Sequence, residues 1–286
     1  MGAAEQITEP WTYHGEGPVW DSGPGLLRWV DMHAGDVLSL APQTQHVQRS
    51  HVGTVAAALR PRVGGGLVVA VERGFCLLDE DDADPYSLGE VWTDPTVRMN
   101  DGGCDPRGRF YCGSMAYDAA PGRGALYCLE PDRAVRRVLD GVTVSNGIAW
   151  SRDGTQVYYV DSPTQRVDVF DFDADSGAFG NRRTAVEVDP DHGMPDGITL
   201  DAEGCVWVAL WGGGAVHRYT TDGRLDEVVD VGPRQVSACA FGGDRLDELF
   251  ITTSREGLPP DEQPTAGALY RYRPGVSGVP VLPYAG

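Results

Sequence analysis

Four side chains that carry oxygen ligands occupy equivalent positions in a repeated pattern. Asn100, Asn146 and Asp196 each stand eight residues before the glycine of a predicted turn, and Glu16 holds the corresponding place near the N-terminus. Any one of these residues taken alone is better explained as a turn former or a strand-end cap. Divalent cations accept carboxylate and amide oxygens, whereas bare acids packed together repel one another. Four such residues at equivalent positions therefore favour a metal site.

The elements that must position them are short strands. Apolar or alternating runs bounded by Gly, Pro, Asp or Asn dominate the chain, and units that share this order begin near residues 15, 55, 100, 146, 196 and 237. A period of about 40–50 residues with three or four strands predicts a propeller blade. We therefore expect an all-β fold, a six-bladed β-propeller that forms one domain over residues 1–286. A terminal strand should complete a blade begun at the other end. A β-sandwich is the alternative, but it gives no reason for the repeat.

The propeller fold explains how residues so distant in sequence could form one site. The first strand of each blade lines the central channel, so equivalent positions in different blades should meet at one height on the axis. Glu16, Asn100, Asn146 and Asp196 are thus predicted neighbours around a central-channel metal. A glycine follows three of them directly, and we expect it to let the backbone turn sharply and leave the site open.

Composition excludes several classes of partner. The 286 residues carry 23 basic and 42 acidic side chains, a formal net charge of −19. A phosphate backbone would repel such a surface, so we expect no nucleic-acid partner. No apolar run approaches the roughly 18 residues of a membrane span, which predicts no membrane partner. With no secretory signal and no C-x-x-C pair among six cysteines, we expect reduced buried thiols and a cytoplasmic protein. A monomer or a weak homo-oligomer is expected.

Several motifs resemble the regucalcin/gluconolactonase family, also called senescence-marker-protein/gluconolactonase/luciferin-regenerating-enzyme-like. The similarity runs from about residue 16 to 272 with the motifs in the family's order. The motifs are Glu16-Gly17-Pro18-Val19-Trp20, Arg98-Met99-Asn100-Asp101-Gly102, Ser145-Asn146-Gly147-Ile148-Ala149-Trp150 and Pro195-Asp196-Gly197. The resemblance implies a six-bladed propeller with one divalent metal at the channel mouth.

The resemblance also implies roles for individual residues. Glu16, Asn146 and Asp196 match the family's metal ligands, and Asp196 also matches its general base. The substrate-binding residues are matched by Arg98, Asn100 and Asp118. Tyr117 stands where mammalian members carry a second acid, and this departure leaves the sugar preference open. Two further histidines, His14 and His192, precede Glu16 and Asp196 and are candidates for the channel mouth, with solvated loop positions as the alternative.

These features predict a metal-dependent lactonase that opens a sugar lactone, a small-molecule substrate, to the aldonic acid. A bound cation would polarise the lactone carbonyl. The ligand set suits one divalent ion, with Ca²⁺ or Zn²⁺ favoured and Mn²⁺, Mg²⁺ or Fe²⁺ also compatible. Two alternatives remain: a non-catalytic propeller that binds metal for regulation or serves as an interaction platform, and a propeller esterase or phosphotriesterase of other specificity.

Overall fold

Six antiparallel sheets of four strands each make up the fold, one with an extra edge strand. The computed structural model describes residues 2–80, 83–259 and 261–286. Blade 1 comprises β3 Gly15–Asp21, β4 Leu26–Asp31, β5 Asp36–Ala41 and β6 His46–His51. Blade 2 comprises β7 Ala56–Pro61, β8 Leu67–Val71, β9 Gly74–Leu78 and β10 Tyr86–Glu90. Blade 3 comprises β11 Val97–Cys104, β12 Phe110–Ala116, β13 Gly124–Leu129 and β14 Val135–Val142.

The second half of the chain continues in the same way. Blade 4 comprises β15 Ser145–Trp150, β16 Gln156–Asp161, β17 Arg166–Asp173 and β18 Ala178–Glu187. Blade 5 comprises β19 Met194–Leu200, β20 Val206–Trp211, β21 Ala215–Tyr219 and β22 Leu225–Asp230. Blade 6 contains β23 Val236–Gly242, β24 Glu248–Thr253 and β25 Tyr270–Tyr272. Three 3-10 turns, Met32–Ala34, Ser162–Thr164 and Pro190–His192, are the helical elements of the described residues. The predicted six-bladed all-β propeller is confirmed.

Ring closure uses the N-terminus. The strand β2, Glu5–Gln6, pairs antiparallel with β25 and supplies the fourth strand of blade 6. The strand β1, Gly2–Ala3, adds a fifth, parallel strand to the edge of blade 5. The start of the chain therefore spans the seam between the last two blades, as the repeat predicted for a terminal strand.

Burial falls from the axis outward. Innermost strands such as β11 and β23 are buried along their whole length, whereas outermost strands such as β10 and β18 are largely exposed. Apolar side chains pack between neighbouring blades, and the largest core cluster draws on blades 1, 2 and 3. All six cysteines are buried and free, as expected. Among the described residues, no helix has the length and apolar character needed to cross a membrane.

The pairing of each innermost strand with its neighbour is irregular near its start. Such a break leaves residues outside the regular ladder and redirects their side chains. In blades 3, 4 and 5 the break encloses Asn100, Asn146 and Asp196, and in blade 1 it begins at Glu16. The fold thus turns these four side chains toward the axis by one repeated backbone device.

The C-terminal segment lies across the other end of the channel. Residues 279–282 line a cavity together with the far ends of the innermost strands, including Cys104, Trp150 and Leu200, and Val281 and Leu282 pack against the core. Backbone hydrogen bonds tie the segment to turns of blades 5 and 3, from Ala202 N to Ser277 O and from Ala285 N to Gly108 O. The channel therefore opens toward solvent at the end where the innermost strands begin.

Candidate functional site

A cavity of about 210 Å³ opens at the start of the innermost strands. It is lined by His14, Glu16, Arg98, Asn100, Met115, Ala119, Val144, Asn146, Ser162, Pro163, Met194, Asp196, Trp211 and Glu256. The structure therefore brings together the four repeat-position residues and Arg98. Their side chains are all buried.

The glycines that follow the site residues have a different purpose from the expected one. Gly147 and Gly197 do not have positive φ angles. A Cβ at Gly147 would lie 2.6 Å from the backbone nitrogen of Ile198, and one at Gly197 would lie 2.5 Å from the Cβ of Ala238. These glycines let the innermost strands of adjacent blades approach closely around the axis. Only at Gly17, with φ of 51°, does the left-handed conformation itself favour glycine.

A hydrogen-bond chain fixes the amide of Asn146. The carbonyl oxygen of Pro195 can only accept, so the Ser162 hydroxyl donates to it at 2.7 Å. The Ser162 oxygen in turn accepts from Nδ2 of Asn146, also at 2.7 Å. The amide oxygen Oδ1 of Asn146 is therefore directed to the opposite side. There it accepts one hydrogen bond, from Asn100 Nδ2 at 2.8 Å, and keeps a second lone pair.

The amide of Asn100 is fixed by the same logic. Its Nδ2 donates to the backbone oxygen of Ser145 at 2.8 Å, which leaves Oδ1 facing Arg98. The guanidinium of Arg98 donates to that oxygen at 2.6 Å and to the backbone oxygen of Met99 at 3.0 Å. Nε of Arg98 is buried and has no hydrogen-bond partner among the described residues. The cavity wall thus contains a buried cation with an unused donor.

Among the described residues, the cavity carboxylates Glu16 and Asp196 form no salt bridge with an arginine, although Arg98 lies in the same cavity wall. Burial raises the pKa of Glu16 to about 8, and the charge of Asp101 acts in the same direction. Burial, followed by the charge of Glu16, raises the pKa of Asp196 well above its usual range. One oxygen of Glu16 accepts from Gly17 N at 3.0 Å, whereas Oδ1 of Asp196 is buried without a partner among the described residues.

These oxygens suit a divalent cation. An unpartnered buried carboxylate oxygen is costly, and a second acid beside it raises the cost further. A cation held by Glu16, Asn146 and Asp196 would remove both penalties, since all three offer oxygen atoms to the cavity. The hydrogen bond to Ser162 orients the Asn146 amide, as outer-shell partners commonly orient the ligands of metal sites. The donor set therefore fits the metal that the sequence predicted.

Other predicted residues lie at or beyond the rim. Tyr117 is exposed, donates to Glu72 Oε1 at 2.6 Å and places its ring 5.8 Å from the Arg98 guanidinium carbon. Asp118 is exposed, and its carboxylate accepts a hydrogen bond from Ala120 N. Its neighbour Ala119 lines the cavity, whereas Asp118 is not among the lining residues. His192 is exposed, packs its ring 5.0 Å from that of His217 and is not among the residues that line the cavity.

The histidine before Glu16 does reach the cavity. Burial lowers the pKa of His14 to about 3, so its imidazole is neutral at neutral pH. Its Nδ1 lies 2.7 Å from the Ser254 hydroxyl and 3.2 Å from Glu256 Oε2, while Nε2 lies 3.9 Å from Glu16 Oε1. A hydrogen bond from His33 lowers the pKa of Glu256 to about 2.

Sequence reasoning missed Ser162 and Glu256. Ser162 directly follows β16, and the pair Asp161-Ser162 also resembles the family's sequence, which is the signal that could have identified it. Glu256 stands in blade 6, whose innermost strand carries Ser237 rather than an acid at the repeat position. It reaches the cavity from the loop after β24, where no repeat marks it.

Comparison with known proteins gives consistent matches over nearly the whole chain. Residues 14–255 match the family model described as the SMP-30/Gluconolactonase/LRE-like region. Over 283 residues the chain is 37% identical to regucalcin of Oryctolagus cuniculus, and 95% of each chain is covered. A solved structure of luciferin-regenerating enzyme has a TM-score of 0.92 and 31% identity, with 100% of both chains covered. A calcium-binding protein, regucalcin, from Agrobacterium tumefaciens gives 0.93 and 28%, covering 100% of this chain and 98% of that one.

Proposed function

This chain belongs to the SMP-30/gluconolactonase/LRE-like family, and we propose that it is a divalent-metal-dependent lactonase that opens an aldonolactone to the aldonic acid. The family supports a lactonase-type function. From the geometry of the cavity we further propose its metal dependence, its substrate class and the roles of individual residues.

The observation that carries the proposal is Oδ1 of Asp196, which is buried without a hydrogen-bond partner among the described residues. Such a buried unsatisfied oxygen is explained where a ligand completes it. Glu16 and Asn146 offer further oxygens to the same cavity, so the three residues would hold the ion. A bound divalent cation supplies a Lewis acid that polarises a carbonyl and stabilises developing negative charge.

The polar wall around Arg98 suits a polyhydroxylated ring. Its guanidinium is held by Asn100 and by the Met99 carbonyl, and its buried Nε retains donor capacity. We assign to Arg98 and Asn100 the orientation of substrate hydroxyls by hydrogen bonds, which are stronger where one partner is charged. Asp118 belongs to a rim loop whose next residue lines the cavity, and we assign it a contact with an outer hydroxyl.

Asp196 is the proposed base. As a water oxygen bonds to the lactone carbonyl carbon, the Asp196 carboxylate takes the water proton. The bond between the acyl carbon and the ring oxygen then breaks, and the proton passes to that ring oxygen. The products are one carboxylic acid and one hydroxyl on the same molecule, so atoms and charge balance. Trp211 and Met194 also line the cavity.

The test is hydrolysis of a panel of aldono-1,4- and 1,5-lactones, followed by acid release. Chelated protein should be inactive, and re-addition of Ca²⁺, Zn²⁺, Mn²⁺, Mg²⁺ or Fe²⁺ singly should identify the active ion. Asp196→Ala should lose at least about a hundredfold in kcat/KM while remaining folded. Asp222→Ala, at an exposed turn, is the matched control. Full activity of Asp196→Ala or of chelated protein on any lactone would refute the mechanism.

A non-catalytic metal-binding protein is the second candidate. The three proposed ligands offer oxygen only, which suits Ca²⁺ binding without any chemistry. Calorimetric Ca²⁺ binding abolished by Asp196→Ala, together with no turnover across the lactone panel, would favour this candidate. Aryl esters and a phosphotriester belong in the same panel, because turnover of these alone would point to a propeller hydrolase of other specificity.

A further inference from the structure

A second group of potential metal ligands lies at the rim of the cavity. His14 precedes β3, His33 stands in the 3-10 turn after β4, and Glu256 follows β24 in blade 6. One ligand atom from each of the three residues lies within 4.8 Å of the other two. None of these residues belongs to the ligand set proposed above.

The three side chains are held by separate contacts. The backbone N–H of His14 donates to Asp31 Oδ1 at 3.0 Å, which fixes the segment before β3. The Ser254 hydroxyl lies 2.7 Å from Nδ1 of His14 and accepts from the backbone N–H of Glu256 at 2.9 Å. His33 is fixed by a 3-10 turn that ends in a left-handed Gly35. The cluster thus joins the first and last blades across the ring closure.

The donor atoms lie close enough together to share one ion. Oε2 of Glu256 lies 3.2 Å from His14 Nδ1, and Oε1 of the same carboxylate lies 3.1 Å from His33 Nε2. With bonds of about 2.0–2.1 Å, the ligand atoms of a tetrahedral zinc ion stand about 3.3 Å apart. Two imidazoles and one carboxylate are a known zinc ligand set that leaves a fourth position open.

We propose that His14, His33 and Glu256 form a second metal site, selective for a borderline transition ion such as Zn²⁺. The site differs in chemistry from the oxygen-only site deeper in the channel. Imidazole nitrogens favour Zn²⁺ over Ca²⁺, whereas oxygen donors alone favour the harder ions. The rim site should therefore bind Zn²⁺ more tightly than the deeper site does, and chelated protein given Zn²⁺ alone should fill both sites.

His14 also links the two sites. Its Nδ1 faces the rim cluster, while Nε2 lies 3.9 Å from Glu16 Oε1. A carboxylate beside the second nitrogen of a metal-bound histidine is a common outer-shell arrangement that orients the ring. Because His14 and Glu256 both line the cavity, an ion at the rim would border the entrance used by a substrate. The rim site is inferred independently of lactonase activity.

Metal stoichiometry tests this inference. Chelated full-length protein is titrated with Zn²⁺, and bound metal is measured by calorimetry and elemental analysis. The wild type should bind two Zn²⁺ per chain, His33→Ala one, and Asp196→Ala one. His46→Ala removes an exposed histidine of β6 and should still bind two. Co²⁺ should give visible absorption bands of a nitrogen-ligated tetrahedral site that persist in Asp196→Ala and disappear in His33→Ala.

The outcomes separate the two proposals. Equal Zn²⁺ stoichiometry and an unchanged Co²⁺ spectrum in His33→Ala would overturn the rim site, leaving the cluster as a hydrogen-bonded ion pair. Loss of one ion in His33→Ala but none in Asp196→Ala would support the rim site while contradicting the deeper one. If His33→Ala unfolds, Glu256→Gln tests the same prediction, since it should weaken the rim-site Kd at least about tenfold.

Discussion

Two sets of buried carboxylates, one at each end of the innermost strands, differ in the number of hydrogen-bond donors around them. Glu16 and Asp196 lie at the open end of the channel, while Asp105 and Asp201 lie in the turns after the innermost strands of blades 3 and 5. All four are at least 95% buried. Those in the turns are surrounded by donors, whereas Asp196 at the open end has an oxygen with none among the described residues.

Asp201 illustrates the satisfied case. One of its oxygens accepts two backbone N–H groups, and the other accepts two side-chain donors. These donors are Glu203 N and Cys205 N at 3.0 Å each, Trp207 Nε1 at 2.9 Å and Arg218 Nε at 2.8 Å. Asp105 repeats the arrangement, with Arg109 and Tyr111 as its side-chain donors. Burial alone therefore does not distinguish a structural acid from a functional one, but the supply of donors does.

The largest effects are expected when one acid at each end is replaced by alanine and both variants are tested for lactone hydrolysis and for stability. Asp196→Ala should abolish lactone hydrolysis, while the free energy of unfolding of chelated protein stays unchanged or rises, because an uncompensated acid is gone. Asp201→Ala should lower that free energy by about 3 kcal/mol or more, since several buried donors lose their acceptor. Urea unfolding and the lactone assay on both variants make the comparison. Strong destabilisation by Asp196→Ala in chelated protein would contradict it.

An intermediate effect is expected from Ser162, which orients the amide of Asn146 without offering a ligand atom itself. Ser162→Ala leaves Nδ2 of Asn146 without its acceptor, so the amide can rotate. We expect metal affinity to fall about tenfold to a hundredfold, which is typical of outer-shell losses. Calorimetric titration of chelated protein measures it, and Ser176→Ala at an exposed turn is the control. Equal affinities in the two variants would show that the Asn146 oxygen does not depend on Ser162.

The pH dependence of stability offers a smaller effect. Burial raises the pKa of Glu16 to about 8 from an ordinary value of 4.5, so folding favours its protonated form. This contribution is complete below pH 4.5 and is lost as the pH rises through 8. Between pH 5 and 9, chelated protein should therefore lose a few degrees of Tm, while acids with lowered pKa values, such as Glu256, stay ionised.

Two measurements sharpen that prediction. Glu16→Gln keeps the shape but not the charge, so its chelated form should show a flatter Tm profile over the same range. Saturating Ca²⁺ should raise Tm most at the alkaline end, where Glu16 is already ionised and no proton must be displaced. A wild-type Tm that rises from pH 5 to 9 in the presence of chelator would contradict the buried, protonated state of Glu16.

The contrast between the two ends also explains what the sequence could predict. The period and the turn glycines identified six blades and placed Asn100, Asn146 and Asp196 together, because a repeat makes equivalent positions converge. Ser162 and the C-terminal segment escaped prediction, since neither belongs to the repeat. Their positions depend on contacts between distant parts of the chain. The expected function of Gly147 was wrong for the same reason. Its small size allows the close approach of the innermost strand of the neighbouring blade, and it is not needed for a turn.

The smallest effect should come from Asp118, which lies at neither end of this comparison. Its side chain is exposed and accepts only the local N–H of Ala120 among described residues, so it is not preorganised toward the cavity. Asp118→Asn should raise KM by about threefold with kcat unchanged, because a rim contact binds ground state and transition state alike. Asp94→Asn, an exposed acid that caps Thr96, is the control. A fall in kcat instead would mean that the loop brings Asp118 into the reacting centre, and the division between rim and channel residues would need revision.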